Sequence, residues 1–273
     1  MKTDLNKNAT LYFLLLLLIS IGVFSLILVY NRNLYEAITY EDRFVEYLGF
    51  IFLLVAGFYV LRSSILGLRK NVRTQGMNSF LLIVGIVFVI AAFEEISWGQ
   101  RIFGFGTPER LMEINRQQEF NFHNIDKKFF DRVLDRANIL FVLFSTVMLI
   151  LKKDHLLGIK LPDVHLTLAF AIIPFYHQYN EVSLDFYHIL YLPIAIIAVR
   201  AAMQKKRGEV VAATITILMT FVLLWLHRKY NHHFPLHNNS ANEIKETLFS
   251  LVCAYYAFVI FRDTKALTEG QSQ

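Results

Sequence analysis

Charge is scarce in this chain. Only 18% of its 273 residues are Asp, Glu, Lys or Arg, where a soluble domain carries roughly a quarter. One cysteine, Cys253, leaves no intrachain disulfide to form, which excludes a disulfide scaffold. Prolines number 5 and glycines 12, too few for a collagen-like or low-complexity chain. Walker and Rossmann glycine patterns are missing, as is an intact HExxH, so neither a phosphate-cradling loop nor the zincin motif is present. What remains is apolar: 55% hydrophobic and 15% aromatic residues, with a mean hydropathy of +0.44. Lys and Arg total 27 against 22 for Asp and Glu. The basic residues form short clusters between apolar runs, so no nucleic-acid partner is expected.

A bilayer core needs roughly 20 apolar residues per helix. Such runs fall at 10–30, 46–67, 77–98, 137–151, 164–179, 183–203, 209–227 and 244–262. The expected fold is therefore all-α: a polytopic membrane helix bundle of about eight transmembrane helices, one membrane domain over 1–273. The first run is long for a signal peptide. Tyr30-Asn31-Arg32 follows it instead of a small-residue cleavage site, so it reads as a span. The 164–179 run is short, contains Pro174 and closes on Tyr176, His177, Gln178, Tyr179 and Asn180. That is the pattern of a half-length or broken helix.

Linker charge alternates along this series. Arg69, Lys70 and Arg73 follow the second span, Lys152, Lys153 and Lys160 the fourth, and Lys205, Lys206 and Arg207 the sixth. Lys and Arg collect on the cytoplasmic side, which predicts an N-in, C-in topology. The linker 101–136 then lies on the outer side. Its segments 107–118 and 125–135 read as amphipathic interfacial helices, the second with Phe129, Phe130, Val133 and Leu134 against Lys127, Lys128, Asp131 and Arg132.

This topology gathers most of the chemically capable residues at the outer face. Glu46 heads the second span; Glu94, Glu95, Trp98, Gln100 and Arg101 close the third; His123 and Asn124 lie in the linker. His177, Glu181, Asp185 and His188 surround the fifth turn, and His227, His232, His233, His237, Glu243 and Glu246 surround the seventh. Ionisable groups at the lip of a span are costly unless paired or hydrated, so such a cluster marks a functional site. Glu94 and Glu95 follow directly on FLLIVGIVFVIAAF. On a helix Glu94, Trp98 and Arg101 would share a face. One glutamate would act as general base and the other as acid or metal ligand, with Arg101 as an anion anchor and His123 as an acid/base partner. Glu46, Trp98, Gln100 and Asn124 are the expected substrate contacts. A simple Glu–Arg pair pinning the helix end is the structural alternative.

His177-x3-Glu181-x3-Asp185-x2-His188 places imidazoles and carboxylates at spacings zinc accepts. His177, Glu181 and His188 are thus candidate ligands for zinc or another divalent metal, the alternative being ordinary hydrogen-bonding side chains. Ser97 has no partner that the sequence identifies, and Cys253 sits in mid-span.

The string EEISWGQRIFGF, followed by TPE and FNFHN, resembles a signature of uncharacterised bacterial multi-pass membrane proteins over roughly residues 93–124. It implies a bacterial inner-membrane location and carries no activity with it. More loosely, the chain resembles the CPBP intramembrane glutamate proteases, which include the CAAX-processing enzymes. Those share the span number, a Glu-Glu-x3-Arg motif, a Phe-x3-His motif and a His-x3-Asn motif. Here Arg101 lies further from Glu94-Glu95, while Phe120–His123 and His177–Asn180 are each one residue short. Each departure turns a side chain by about 100° on a helix. The resemblance implies water activation by Glu94 or Glu95 and oxyanion stabilisation by His177.

The expected function is a membrane-embedded hydrolase or transferase acting on a lipid or lipid-linked substrate. The mixture of titratable groups suits proton transfer. Two other classes fit the same residues. One is a proton-coupled transporter with Glu46, Glu94, Glu181 and the histidines as a relay and the Pro174 break as its substrate site. The other is a non-catalytic subunit whose polar face docks a periplasmic protein.

Overall fold

The computed structural model describes residues 2–39, 44–115, 119–122, 125–176, 187–230 and 240–270. Six helices within them are long and apolar enough to cross a membrane: Asn8–Tyr30, Phe44–Lys70, Gln75–Glu95, Phe129–Ile150, Arg207–Tyr230 and Ala241–Gly270. Two shorter apolar helices, Val164–Phe175 and His188–Met203, fall on the remaining apolar runs. The chain is an all-α multi-pass membrane protein.

In order the elements are α1 (Lys2–Tyr30), α2 (Arg32–Thr39), α3 (Phe44–Lys70), α4 (Gln75–Glu95), α5 (Gln100–Phe103), α6 (Glu109–Ile114) and α7 (Lys127–Ile150). A two-stranded hairpin, β1 (His155–Leu156) and β2 (Ile159–Lys160), turns at Leu157–Gly158. Then come α8 (Val164–Ile172), α9 (Tyr191–Met203), α10 (Arg207–Tyr230) and α11 (Ser240–Gly270). Short 3-10 turns lie at Ser97–Gly99, Ile173–Phe175 and His188–Leu190.

Two expectations are corrected in the linker. The interfacial helix of 125–135 and the span of 137–151 are one helix, α7, because its 24 residues contain neither Pro nor Gly to separate them. The expected helix 107–118 is only α6, which ends where Asn115 turns extended at φ −86°, ψ 124°.

The fold divides into two compact units. The first holds residues 1–40, 136–154 and 161–249. Its centre is α8, every residue of which is buried. A helix apolar on all sides reads as one enclosed by others, and α1, α9 and α10 all pack against it. Asp163 caps its N-terminus: Oδ1 accepts the Leu166 amide at 2.9 Å, and Oδ2 accepts the Thr10 hydroxyl of α1 at 2.5 Å. The far end is broken by Pro174, which has no N–H to give the Phe170 carbonyl one turn back. Asn138 of α7 replaces it, donating Nδ2 to that carbonyl at 3.1 Å. Asn138→Leu should therefore strand a buried carbonyl and cost about 2 kcal/mol, read as a lower melting temperature in detergent. An unchanged melt would remove this account of how the break is tolerated.

The second unit holds residues 41–135, 155–160 and 250–273. Its backbone is the α3–α4 hairpin. Small residues let the two helices approach: a Cβ on Gly85 would lie 2.7 Å from the Leu61 side chain and 3.1 Å from its amide nitrogen. At one end of this hairpin the connecting loop buries Arg73. Its Nε donates to the Gly158 carbonyl at 2.7 Å, Nη1 reaches the Ser63 hydroxyl at 3.4 Å, and Nη2 donates to the Thr264 hydroxyl. The opposite end of α4 carries the carboxylates.

Candidate functional site

The apolar run of α4 ends abruptly at Glu94 and Glu95, and so does the helix. Ile96 caps it, and Ser97, Trp98 and Gly99 follow with φ of 48°, 55° and 75°. Three successive left-handed residues, two of them not glycine, reverse the chain within a few ångströms. The helix face expected to carry Glu94, Trp98 and Arg101 is thereby interrupted. Glu94 and Trp98 nevertheless meet across the turn, the indole N–H donating to Glu94 Oε1 at 2.5 Å. Glu94 Oε2 accepts the Phe122 amide at 2.6 Å. Trp98 stacks on Phe93, centroids 5.8 Å apart, and Phe93 meets Phe50 of α3 edge-on at 5.9 Å.

The segment after the turn folds back over it. Gln100 bridges the two sides, Nε2 donating to Thr107 Oγ1 at 2.7 Å and Oε1 accepting the Phe120 amide at 2.8 Å. Beneath lies a buried polar knot. Ser97 Oγ donates to Glu119 Oε2 at 2.8 Å. Asn121 Nδ2 donates to both of them, at 2.9 Å to Ser97 Oγ and 3.0 Å to Glu119 Oε2. Asn115 Nδ2 in turn holds the Asn121 side-chain oxygen at 2.8 Å and its carbonyl at 2.7 Å. Ser97 is 2% exposed and Glu119 6%. A carboxylate at that depth is tolerated because fixed donors replace its water. Around this polar core the same segment presents Ile102, Phe103, Phe105, Met112, Ile114 and Phe122 outward, Phe103 at 78% exposure.

The sequence-derived residues divide as follows. Glu94, Glu95, Trp98 and Gln100 all lie at this helix end, Glu94, Glu95 and Trp98 half-buried. Glu46 sits half-buried in the first turn of α3. Arg101 belongs to α5 by its backbone, its side chain being outside the description; His123, Asn124, His177, Glu181 and Asp185 lie outside the described residues. His188 is exposed in the first unit, its ring stacked on Tyr191 at 6.1 Å. Among the described residues no three His, Cys, Asp or Glu side chains are grouped to hold a metal ion. Glu119, Asn115 and Asn121 are new: the sequence offered only the FNFHN string around Asn121, with no periodicity to place it. Ser97 was visible but had no assigned partner.

A second buried polar group lies in the first unit. Tyr35 and Tyr176 share a 3.3 Å hydroxyl contact, and His227 meets the Tyr176 ring edge-on at 4.7 Å. Burial pushes the Tyr35 phenol above its ordinary pKa.

Comparison of the chain with protein-family models, curated proteins and solved structures finds no match.

Proposed function

We propose that this protein is a membrane-embedded hydrolase or transferase acting on a lipid or lipid-linked substrate, with its reacting groups at the Glu94–Asn121 end of α4. One observation carries the reading. A carboxylate, Glu119, is buried against a hydroxyl and an amide that point at one of its oxygens, while the segment holding it turns large apolar side chains outward. A buried carboxylate within hydrogen-bond reach of a hydroxyl is placed to take its proton. Exposed apolar residues beside it suit acyl chains.

Arg69, Lys70 and Arg73 lie at the other end of the α3–α4 hairpin, and the tendency of such residues to stay cytoplasmic supports reading the carboxylate end as extracytoplasmic in a bacterial inner membrane. The transporter alternative would use the Pro174 break. There, however, the freed Phe170 carbonyl is already held by Asn138, which removes an acceptor that a substrate would need.

The test is reconstitution of the full chain in vesicles of total bacterial inner-membrane lipid, with products followed by mass spectrometry. Wild type should convert a lipid class that Glu119→Gln vesicles convert at least about a hundredfold more slowly. Identical lipid profiles for protein-containing and empty vesicles would sink the enzyme reading. Proton uptake driven by a substrate gradient would favour the carrier instead.

A further inference from the structure

We propose that Ser97 is a nucleophile, with Glu119 as its general base and Asn121 as the group that orients both, and that its substrate is a lipid acyl ester. This rests on the hydrolase or transferase reading above and names its reacting atoms.

The geometry has the three parts an activated hydroxyl needs. Ser97 Oγ donates to Glu119 Oε2 at 2.8 Å, within the distance a base must reach to take that proton. Asn121 Nδ2 donates to Ser97 Oγ at 2.9 Å and to Glu119 Oε2 at 3.0 Å, so one amide fixes the angle between acid and base. The amide cannot turn over, because Asn121 Oδ1 is itself held by Asn115 Nδ2 at 2.8 Å. Nucleophile, base and orienting third group is the arrangement found on unrelated hydrolase folds, recognised by roles and not by sequence order.

Backbone strain coincides with the same atom. Ser97 has φ 48° and is not a glycine, and it opens the left-handed run through Gly99. A non-glycine residue held there is strained, and the strain holds the buried Ser97 hydroxyl on Glu119. Outward-facing Ile102 and Phe103, at 61% and 78% exposure, flank the turn as a landing for acyl chains.

The chemistry closes in two steps. Ser97 Oγ bonds to the acyl carbonyl carbon as its proton passes to Glu119. The tetrahedral oxyanion then collapses, breaking the carbon–oxygen bond to the leaving alcohol, which takes the proton back from Glu119. Water, or an acceptor alcohol in a transferase, next gives its proton to Glu119 and attacks the acyl-serine. Collapse breaks the Oγ–carbon bond, the proton returns to Oγ, and the acid or new ester departs.

The probe is diisopropyl fluorophosphate, added to the full chain in the same vesicles and followed by intact mass and peptide mapping. Wild type should gain one phosphoryl group, on Ser97. Ser97→Gly, which keeps the backbone at ease at positive φ, should gain none and lose lipid conversion. Glu119→Gln should label about a hundredfold more slowly. No adduct on wild type, or an adduct elsewhere, overturns Ser97 as nucleophile. If Ser97→Gly still converts lipid, the nucleophile fails while the enzyme reading stands; if wild type neither labels nor converts lipid, both fail.

Discussion

Arg73→Leu is expected to destabilise the second unit by about 3 kcal/mol, lowering its melting temperature in detergent by roughly 5–10 °C. The side chain is 7% exposed. Its guanidinium serves three acceptors from separate stretches of chain: the hairpin carbonyl of Gly158, the α3 hydroxyl of Ser63 and the α11 hydroxyl of Thr264. Ser63 and Thr264 also touch each other at 2.7 Å, so they retain one bond when the arginine is gone; the Gly158 carbonyl loses the donor that Arg73 supplies. Burial weighs against the charged guanidinium, and the nearby Asp263, which also holds His155 at 3.1 Å, offsets this. Arg73→Lys restores charge without the planar fork and should recover less than half of the loss. If the leucine and lysine variants both melt with wild type, the arginine is a bystander and the unit is held by its helix contacts alone.

Gly99→Val should cost a similar amount and, under the proposed function, also abolish lipid conversion. At φ 75° a β-branched residue meets a penalty of about 1–2 kcal/mol. Its Cβ would stand 2.9 and 3.0 Å from two ring carbons of Phe103, adding about 1–3 kcal/mol of overpacking. The turn has no slack to absorb this, because Gly99 N–H closes it onto the Ile96 carbonyl at 2.8 Å. Ser97 and Trp98 would therefore move off Glu119 and Glu94. Gly106→Ala is the matched control, since nothing lies within 4 Å of its added methyl. Loss of conversion in the valine variant with an unaltered melt would mean the turn is catalytic but not structural. Full activity would show that the left-handed run has no bearing on the site.

How much of this was readable in advance follows from what each signal encodes. Apolar runs are hard to miss: six of the eight carry helices long and apolar enough to cross a membrane, and the described parts of the other two carry shorter ones, Val164–Phe175 and His188–Met203. Pro174 announced the broken helix. Its repair by Asn138 was hidden, because a residue 32 positions away on another helix supplies the donor. The amphipathic start of α7 was split from its span because hydropathy sees Lys127 to Arg136 as polar, although nothing there stops a helix. At the site, helical spacing puts Glu94, Trp98 and Arg101 on one face, but a left-handed turn interrupts that face and itself brings the Trp98 indole onto Glu94. Ser97 and Trp98 at positive φ contradict local propensity, so the periodic reading carried the helix on to 98. Glu119, Asn115 and Asn121 sit in non-repetitive chain, where position depends on tertiary bonds that no spacing rule contains.

The enclosed helix α8 has a consequence for how the molecule is made. With the 3-10 turn that continues it, the apolar helix Val164–Phe175 rises about 18 Å, well short of the roughly 30 Å hydrocarbon layer. A translocon that releases one segment at a time sideways into lipid would find no stable resting depth for it. Its burial therefore depends on α1, α9 and α10 being in place to enclose it.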